Sequence, residues 1–115
     1  LGDFYDLGEK TVEALSSTLG IEATLVKPYF ASGIDQSLLD NLVKDHDVIV
    51  TIEDGIIEGG WGQNIASYLG ASSARVLNYG VKKAFYDRVN VAELMRESHL
   101  EPELITADVK QVLGL

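Results

Sequence analysis

The stretch Glu53-Asp54-Gly55-Ile56-Ile57-Glu58-Gly59-Gly60-Trp61-Gly62 concentrates the residue types that do chemistry in this chain. A glycine-rich turn that enters a helix N-terminus can present backbone N–H groups to an anion. The spacing, however, is neither G-x-G-x-x-G nor the P-loop pattern, the stretch has no lysine, and its three carboxylates would repel a phosphate. Glycine that lets a helix lie close against a sheet, or that adopts positive φ, accounts for it better. Glu53 and Asp54 stand at the carboxyl end of an apolar run, where α/β domains bind ligands, and could ligate a metal or form a proton-transfer pair. Adjacent strand residues point to opposite faces, so capping and solvent exposure describe the pair better. Glu53, Asp54, Gly59, Gly60, Trp61 and Gly62 are therefore loop or interface positions, and no catalytic residue, cofactor contact or metal ligand is assigned.

The remaining reactive side chains form no constellation. His46 lies in the polar run Lys44-Asp45-His46-Asp47, expected to be a solvated turn, and His99 precedes the last helix. Neither has a partner at metal-ligand spacing, and no nucleophile-elbow serine is present for them to serve. Lys82, Lys83 and Arg88 are the one basic concentration, suited to a local contact within a larger assembly. Tyr29-Phe30 and Phe85-Tyr86 are aromatic pairs expected at a core edge or against a neighbouring domain or subunit.

The elements that must position these residues follow from periodicity. Val12, Leu15 and Leu19 have helical spacing, with Asp6 and Glu9 in capping-box register and Gly20 as a stop, predicting a helix over Asp6 to Leu19. Ala23 to Lys27 reads as a short strand closed by Pro28. After a loop from Tyr29 to Ile34, Asp35 offers an N-cap to a helix with Leu38, Leu39, Leu42 and Val43 on one face. Val48-Ile49-Val50-Thr51-Ile52 is a β-branched run without polar alternation, as expected of a strand covered on both faces. The glycine stretch then leads into a helix with Trp61, Ile65, Ala66 and Leu69 inward and Gly70 as its stop. Ala74 to Tyr79 is the next strand, ending at Gly80. A short helix around Val91, Leu94 and Met95 follows, and Pro102 opens a last one with Ile105, Val109 and Val112 inward. Strands alternating with helices predict one α/β domain over residues 1–115, a three-layer α/β/α arrangement with a mostly parallel sheet. Leu1-Gly2 running straight into a helix looks like the last step of a strand whose body lies upstream.

The 115 residues, 46% hydrophobic, suffice for one core. A formal net charge of −9 opposes nucleic acid and anionic membrane as partners. The absence of cysteine excludes thiol chemistry, and no apolar run approaches the roughly 20 residues of a membrane span, so a cytoplasmic location is expected. The chain begins with Leu1 and has Met95 as its single methionine, which reads as a piece of a longer polypeptide.

Several segments in order resemble the C-terminal domain of the transketolase family: Leu1-Gly2 entering a helix, Ala23 through Lys27-Pro28-Tyr29-Phe30-Ala31-Ser32-Gly33-Ile34-Asp35 to Leu39, His46 through Ile49-Val50-Thr51-Ile52-Glu53-Asp54-Gly55, and Gly59-Gly60-Trp61-Gly62. Asn78-Tyr79-Gly80 and Leu100 to Leu104 match as well, so the likeness covers nearly the whole chain. Within the family it is most similar to the 1-deoxy-D-xylulose-5-phosphate synthase branch; transketolase proper and the beta subunit of 2-oxo-acid dehydrogenases are the alternatives, and a free-standing anion-binding module using Gly59 to Gly62 is a reading of another class. The resemblance implies a thiamine-diphosphate-dependent parent enzyme that condenses pyruvate with glyceraldehyde 3-phosphate and releases carbon dioxide, supplying precursors for isoprenoids, thiamine and pyridoxal. It implies that the diphosphate, Mg²⁺ and the activating glutamate belong to upstream domains, that this fragment binds no cofactor, and that it serves packing and homodimer assembly with those domains. The fold it implies is a mixed five-stranded sheet between helices with one antiparallel strand. That sheet includes a strand ending at Leu1-Gly2 whose body is truncated here, leaving ladder groups that favour strand exchange or tight dimerisation.

Overall fold

A parallel pair of strands organises the molecule. The computed structural model describes residues 5–26, 36–56, 60–81 and 99–115, with the backbone alone at 54–56 and 81. Strand β1, Val48–Ile56, pairs in parallel with β2, Arg75–Val81, in the register Val48↔Arg75 to Ile52↔Tyr79, and an irregularity precedes Ile56↔Val81. Alternation along β1 sends Ile49 to one face and Val50 and Ile52 to the other. On the second face Val50, Ile52, Leu77 and Tyr79 meet Leu7 and Leu15 of helix α1, Tyr5–Leu19, together with Leu100 and with Ile105 and Val109 of the final helix. Ile49 and Val76, on the first face, meet Leu39 and Val43 of α2, Gln36–Asp45, and Ile65 and Leu69 in and after α3, Trp61–Tyr68. With the final helix, Pro102–Leu113, as α4, the layers are α1 and α4, the sheet, and α2 and α3. This is the three-layer α/β/α arrangement, and it explains why β1 carries apolar β-branched residues without alternation.

Helix ends follow local chemistry. Gly20, with φ +68°, closes α1, and its N–H and that of Ile21 return to the carbonyls of Ser16 and Leu15. Pro102 takes the first position of α4, where its missing N–H costs nothing. Gly114, with φ +72°, ends that helix in a Schellman arrangement: its N–H bonds to Gln111 and that of Leu115 to Lys110.

Several sequence expectations need correction. The strand expected over Ala23 to Lys27 does not form where the structure describes it: residues 21–26 have no strand pairing, and Leu25 and Val26 remain exposed. Among the described residues their β-rich composition has no ladder partner to act on, and pairing defines a strand more than propensity does. The polar turn expected from Lys44 is shorter, because α2 runs through Asp45 and puts Lys44 in its last turn, where a cation suits the helix dipole. Strand β1 continues past Ile52 through Glu53 to Ile56, and β2 continues to Val81. Helix α1 begins at Tyr5, which places Asp6 inside the first turn and not at a capping position. Asp35, the pairs Tyr29-Phe30 and Phe85-Tyr86, the basic trio Lys82, Lys83 and Arg88, and the expected helix around Met95 lie outside the described residues. Among the described residues no helix is long and apolar enough to cross a membrane.

Candidate functional site

At the carboxyl end of the sheet three polar side chains converge on the start of α3. Thr51 and Asn78 are opposite partners in the β1–β2 register, and the Thr51 hydroxyl donates to Asn78 Oδ1 at 2.6 Å. Glu53, two residues further along β1, shares the face of Thr51. It is 6% exposed, and its Oε2 accepts the backbone N–H of Gly62 at 2.7 Å. Gly60 holds the N-cap position with extended backbone and no side chain to cap with, Trp61 is the first helical residue, and Gly62 the second. The cap therefore comes from a neighbouring strand. A carboxylate at a helix N-terminus satisfies an orphan donor and lies favourably in the field of the helix.

Gly62 is required by closeness. A Cβ at this position would stand 2.9 Å from both Asn78 Oδ1 and Glu53 Oε2 and collide with Thr51 Oγ1. Close helix-to-sheet approach is thus the physical reason for this glycine, and it is what permits the Glu53 bond. Trp61 is half-buried and packs on the Leu39, Ile65 and Leu69 cluster. The backbone of Asp54 lies in β1, while its side chain and the whole of Gly59 are outside the described residues. Of the sequence-stretch positions, then, the structure brings together Glu53, Gly60, Trp61 and Gly62. Thr51 and Asn78 lie in segments that carry the family resemblance, yet sequence reasoning did not single them out as site residues. Their signal was two polar side chains inside otherwise apolar strands, one of them two residues from Glu53.

This arrangement fixes α3 on the sheet and leaves little for an anion to use. The α3 N-terminus already holds a buried carboxylate, and a phosphate placed there would meet its charge at short range. Among the described residues no three His, Asp or Glu side chains group as metal ligands. The Glu53 carboxylate at this N-terminus thus disfavours a diphosphate there.

A second polar cluster closes the α4 side. The Tyr79 hydroxyl donates to Asp108 Oδ2 at 2.7 Å, and His99 Nδ1 lies 2.9 Å from the same oxygen. Tyr79 is 5% exposed; burial, and then the bond to Asp108, push its phenol pKa well above the ordinary value of 10.0. His99 occupies the left-handed region at φ +57°, unusual for a residue with a Cβ. On the opposite layer Tyr68 donates to Asp40 at 2.9 Å, and that hydrogen bond raises its pKa in turn. His46, expected in a solvated turn, is half-buried with both ring nitrogens engaged: Nδ1 lies 2.9 Å from the Leu42 carbonyl and Nε2 3.0 Å from Thr24 Oγ1. A carbonyl only accepts, so Nδ1 carries the hydrogen that points to Leu42. The ring ties the end of α2 to residues 21–26.

The transketolase C-terminal domain model matches residues 2–105. The chain belongs to that family. Among its curated relatives is a 1-deoxy-D-xylulose-5-phosphate synthase of Colwellia psychrerythraea, 34% identical over 93% of this chain and 17% of the relative. The synthase of Pseudoalteromonas translucida is 38% identical over 82% of the chain and 16% of its own length. That of Leifsonia xyli is 36% identical over 99% of the chain and 18% of its own length. The chain thus spans about a sixth of the length of the relatives it matches.

Proposed function

We propose that this transketolase C-terminal domain works as an assembly part of a 1-deoxy-D-xylulose-5-phosphate synthase-like enzyme, with no catalysis of its own. The observation that carries the reading is the shared name of relatives matched over most of the chain. The Glu53 carboxylate at the α3 N-terminus supports the passive role, since it takes the Gly62 N–H and its position opposes a phosphate there. On this reading the parent enzyme uses thiamine diphosphate and Mg²⁺ held by its other domains, joins pyruvate to glyceraldehyde 3-phosphate with loss of carbon dioxide, and works as a homodimer in the cytoplasm. The residues of this chain contribute packing: Glu53 and Gly62 hold α3, and Asp108 holds the Tyr79 and His99 side.

The test is an assay of the complete polypeptide for pyruvate-dependent carbon dioxide release with glyceraldehyde 3-phosphate as acceptor. Turnover is expected. Absence of turnover with these substrates, together with turnover of a ketose phosphate donor, would replace the synthase reading by transketolase proper. Saturable binding of inorganic diphosphate by the 115 residues alone would overturn the passive role.

A further inference from the structure

The chain has two histidines, and the structure holds them in opposite ways. His46 has both ring nitrogens engaged, Nδ1 at the Leu42 carbonyl and Nε2 at Thr24 Oγ1. His99 has Nδ1 committed to Asp108 Oδ2 at 2.9 Å, while among the described residues its Nε2 has no partner, and its side chain is 48% exposed. A carboxylate only accepts, so Nδ1 carries hydrogen and Nε2 of the neutral ring carries the lone pair. Three further features fix that ring in place. Asp108 is itself held, because the buried Tyr79 donates its hydroxyl to the same oxygen at 2.7 Å. Leu100, next in the chain, is buried in the core, and Pro102 opens α4 just beyond it. The backbone at His99 is left-handed, with φ +57°, a conformation that a residue with a Cβ keeps only where its surroundings enforce it. Nδ1 is thus oriented by an anchored carboxylate, the device that sets the tautomer of a functional histidine, and Nε2 is left for an incoming group.

We propose that His99 Nε2 is a modification site that accepts an acyl group from an uncharged activated ester or anhydride. Nε2 attacks the carbonyl carbon, the bond from that carbon to the leaving group breaks, and the leaving group departs with the electron pair. The ring is a cation at that moment, and Asp108 stabilises it at Nδ1. The Nδ1 proton then passes through solvent to the leaving group, and the product is a neutral N-acyl imidazole. Phosphoryl donors are the poorer class. They would bring negative charge to a ring beside Asp108, with Glu101 and Glu103 close along the chain and a formal net charge of −9 on the whole. The site takes up one group per chain without turnover. It goes beyond the synthase reading and stands or falls without it.

Diethyl pyrocarbonate, an uncharged anhydride that carbethoxylates imidazole nitrogen, is the probe. The complete polypeptide is treated with a limiting amount at neutral pH, and the adducts are located and timed by peptide mass spectrometry. His99 should react at least ~10-fold faster than His46, and Asp108→Asn should slow His99 by ~10-fold while the His46 rate stays as it was. Equal rates at the two histidines of the unaltered protein would overturn the proposal, and that comparison needs no variant. An unchanged His99 rate in an Asp108→Asn protein whose His46 rate is also unchanged would overturn it as well, since exposure alone would then account for the reactivity.

Discussion

The two ends of β1 differ in what they need. Where β1 meets α3, Thr51, Asn78, Glu53 and Gly62, drawn from two strands and a helix, satisfy one another within a few ångströms of space. Along its amino-terminal edge, Val48 and Val50 face a cavity lined by α1, α4 and residues 21–26. A buried polar group costs stability unless its partner is built in, whereas an apolar cavity can be filled by any chain of the right shape. The finished end therefore tolerates little change and the open edge tolerates more, and substitutions can measure that contrast.

The largest effect is expected from Gly62→Ala. Its methyl group must push Thr51, Asn78 and Glu53 apart, which breaks the cap and costs about 3 kcal/mol in urea denaturation. A loss below about 1 kcal/mol would mean that the knot is looser than its geometry. Next comes Glu53→Ala, which leaves the Gly62 N–H buried without its acceptor and should cost about 2 kcal/mol; Glu53→Gln, retaining an acceptor oxygen, should recover roughly half of this. Equal losses in the two variants would show that charge and not the hydrogen bond matters.

Tyr79→Phe is expected to cost about 1 kcal/mol at neutral pH through loss of the bond to Asp108. Tyr79 also makes stability depend on pH. Because its folded-state pKa is raised, the unfolded chain ionises first, so its contribution is complete below about pH 10 and declines as pH rises above that value. Melting temperatures measured from pH 8 to 11 should fall less steeply in Tyr79→Phe than in the parent. The smallest effect concerns His99. Replacement by Ala loses the Asp108 bond and keeps the left-handed backbone, whereas Gly loses the bond and relieves the backbone, so His99→Gly should exceed His99→Ala in stability by about 1 kcal/mol. The reverse order would show that the backbone at residue 99 is unstrained.

How legible all this was in the sequence depends on the range of the forces involved. The helix over 5–19 with its glycine stop, the β-branched strand and the proline-opened last helix could be read because their determinants are local. The 21–26 segment was misread as a strand because composition reports what a residue prefers and a ladder requires a neighbour. For Glu53 both capping and solvent exposure were expected from its place at a strand end; it does cap α3, but it is buried and not exposed. Its burial depends on Gly62 and Asn78, and so on how α3 docks, which no spacing in the sequence states. His46 shows the same limit: its polar neighbours suggested solvent, while its ring is held by Leu42 and Thr24. The resemblance to the transketolase family rested on ordered segments and survived these local errors, because order and separation are properties of the whole chain.

The Glu53–Gly62 bond also works as a non-covalent staple across nine positions of sequence. It closes a ring of chain from Glu53 to Gly62, and the entropy that such a closure costs grows slowly with ring size, by only about 0.6 kcal/mol for each doubling, so one buried hydrogen bond suffices to register the start of α3 on β1.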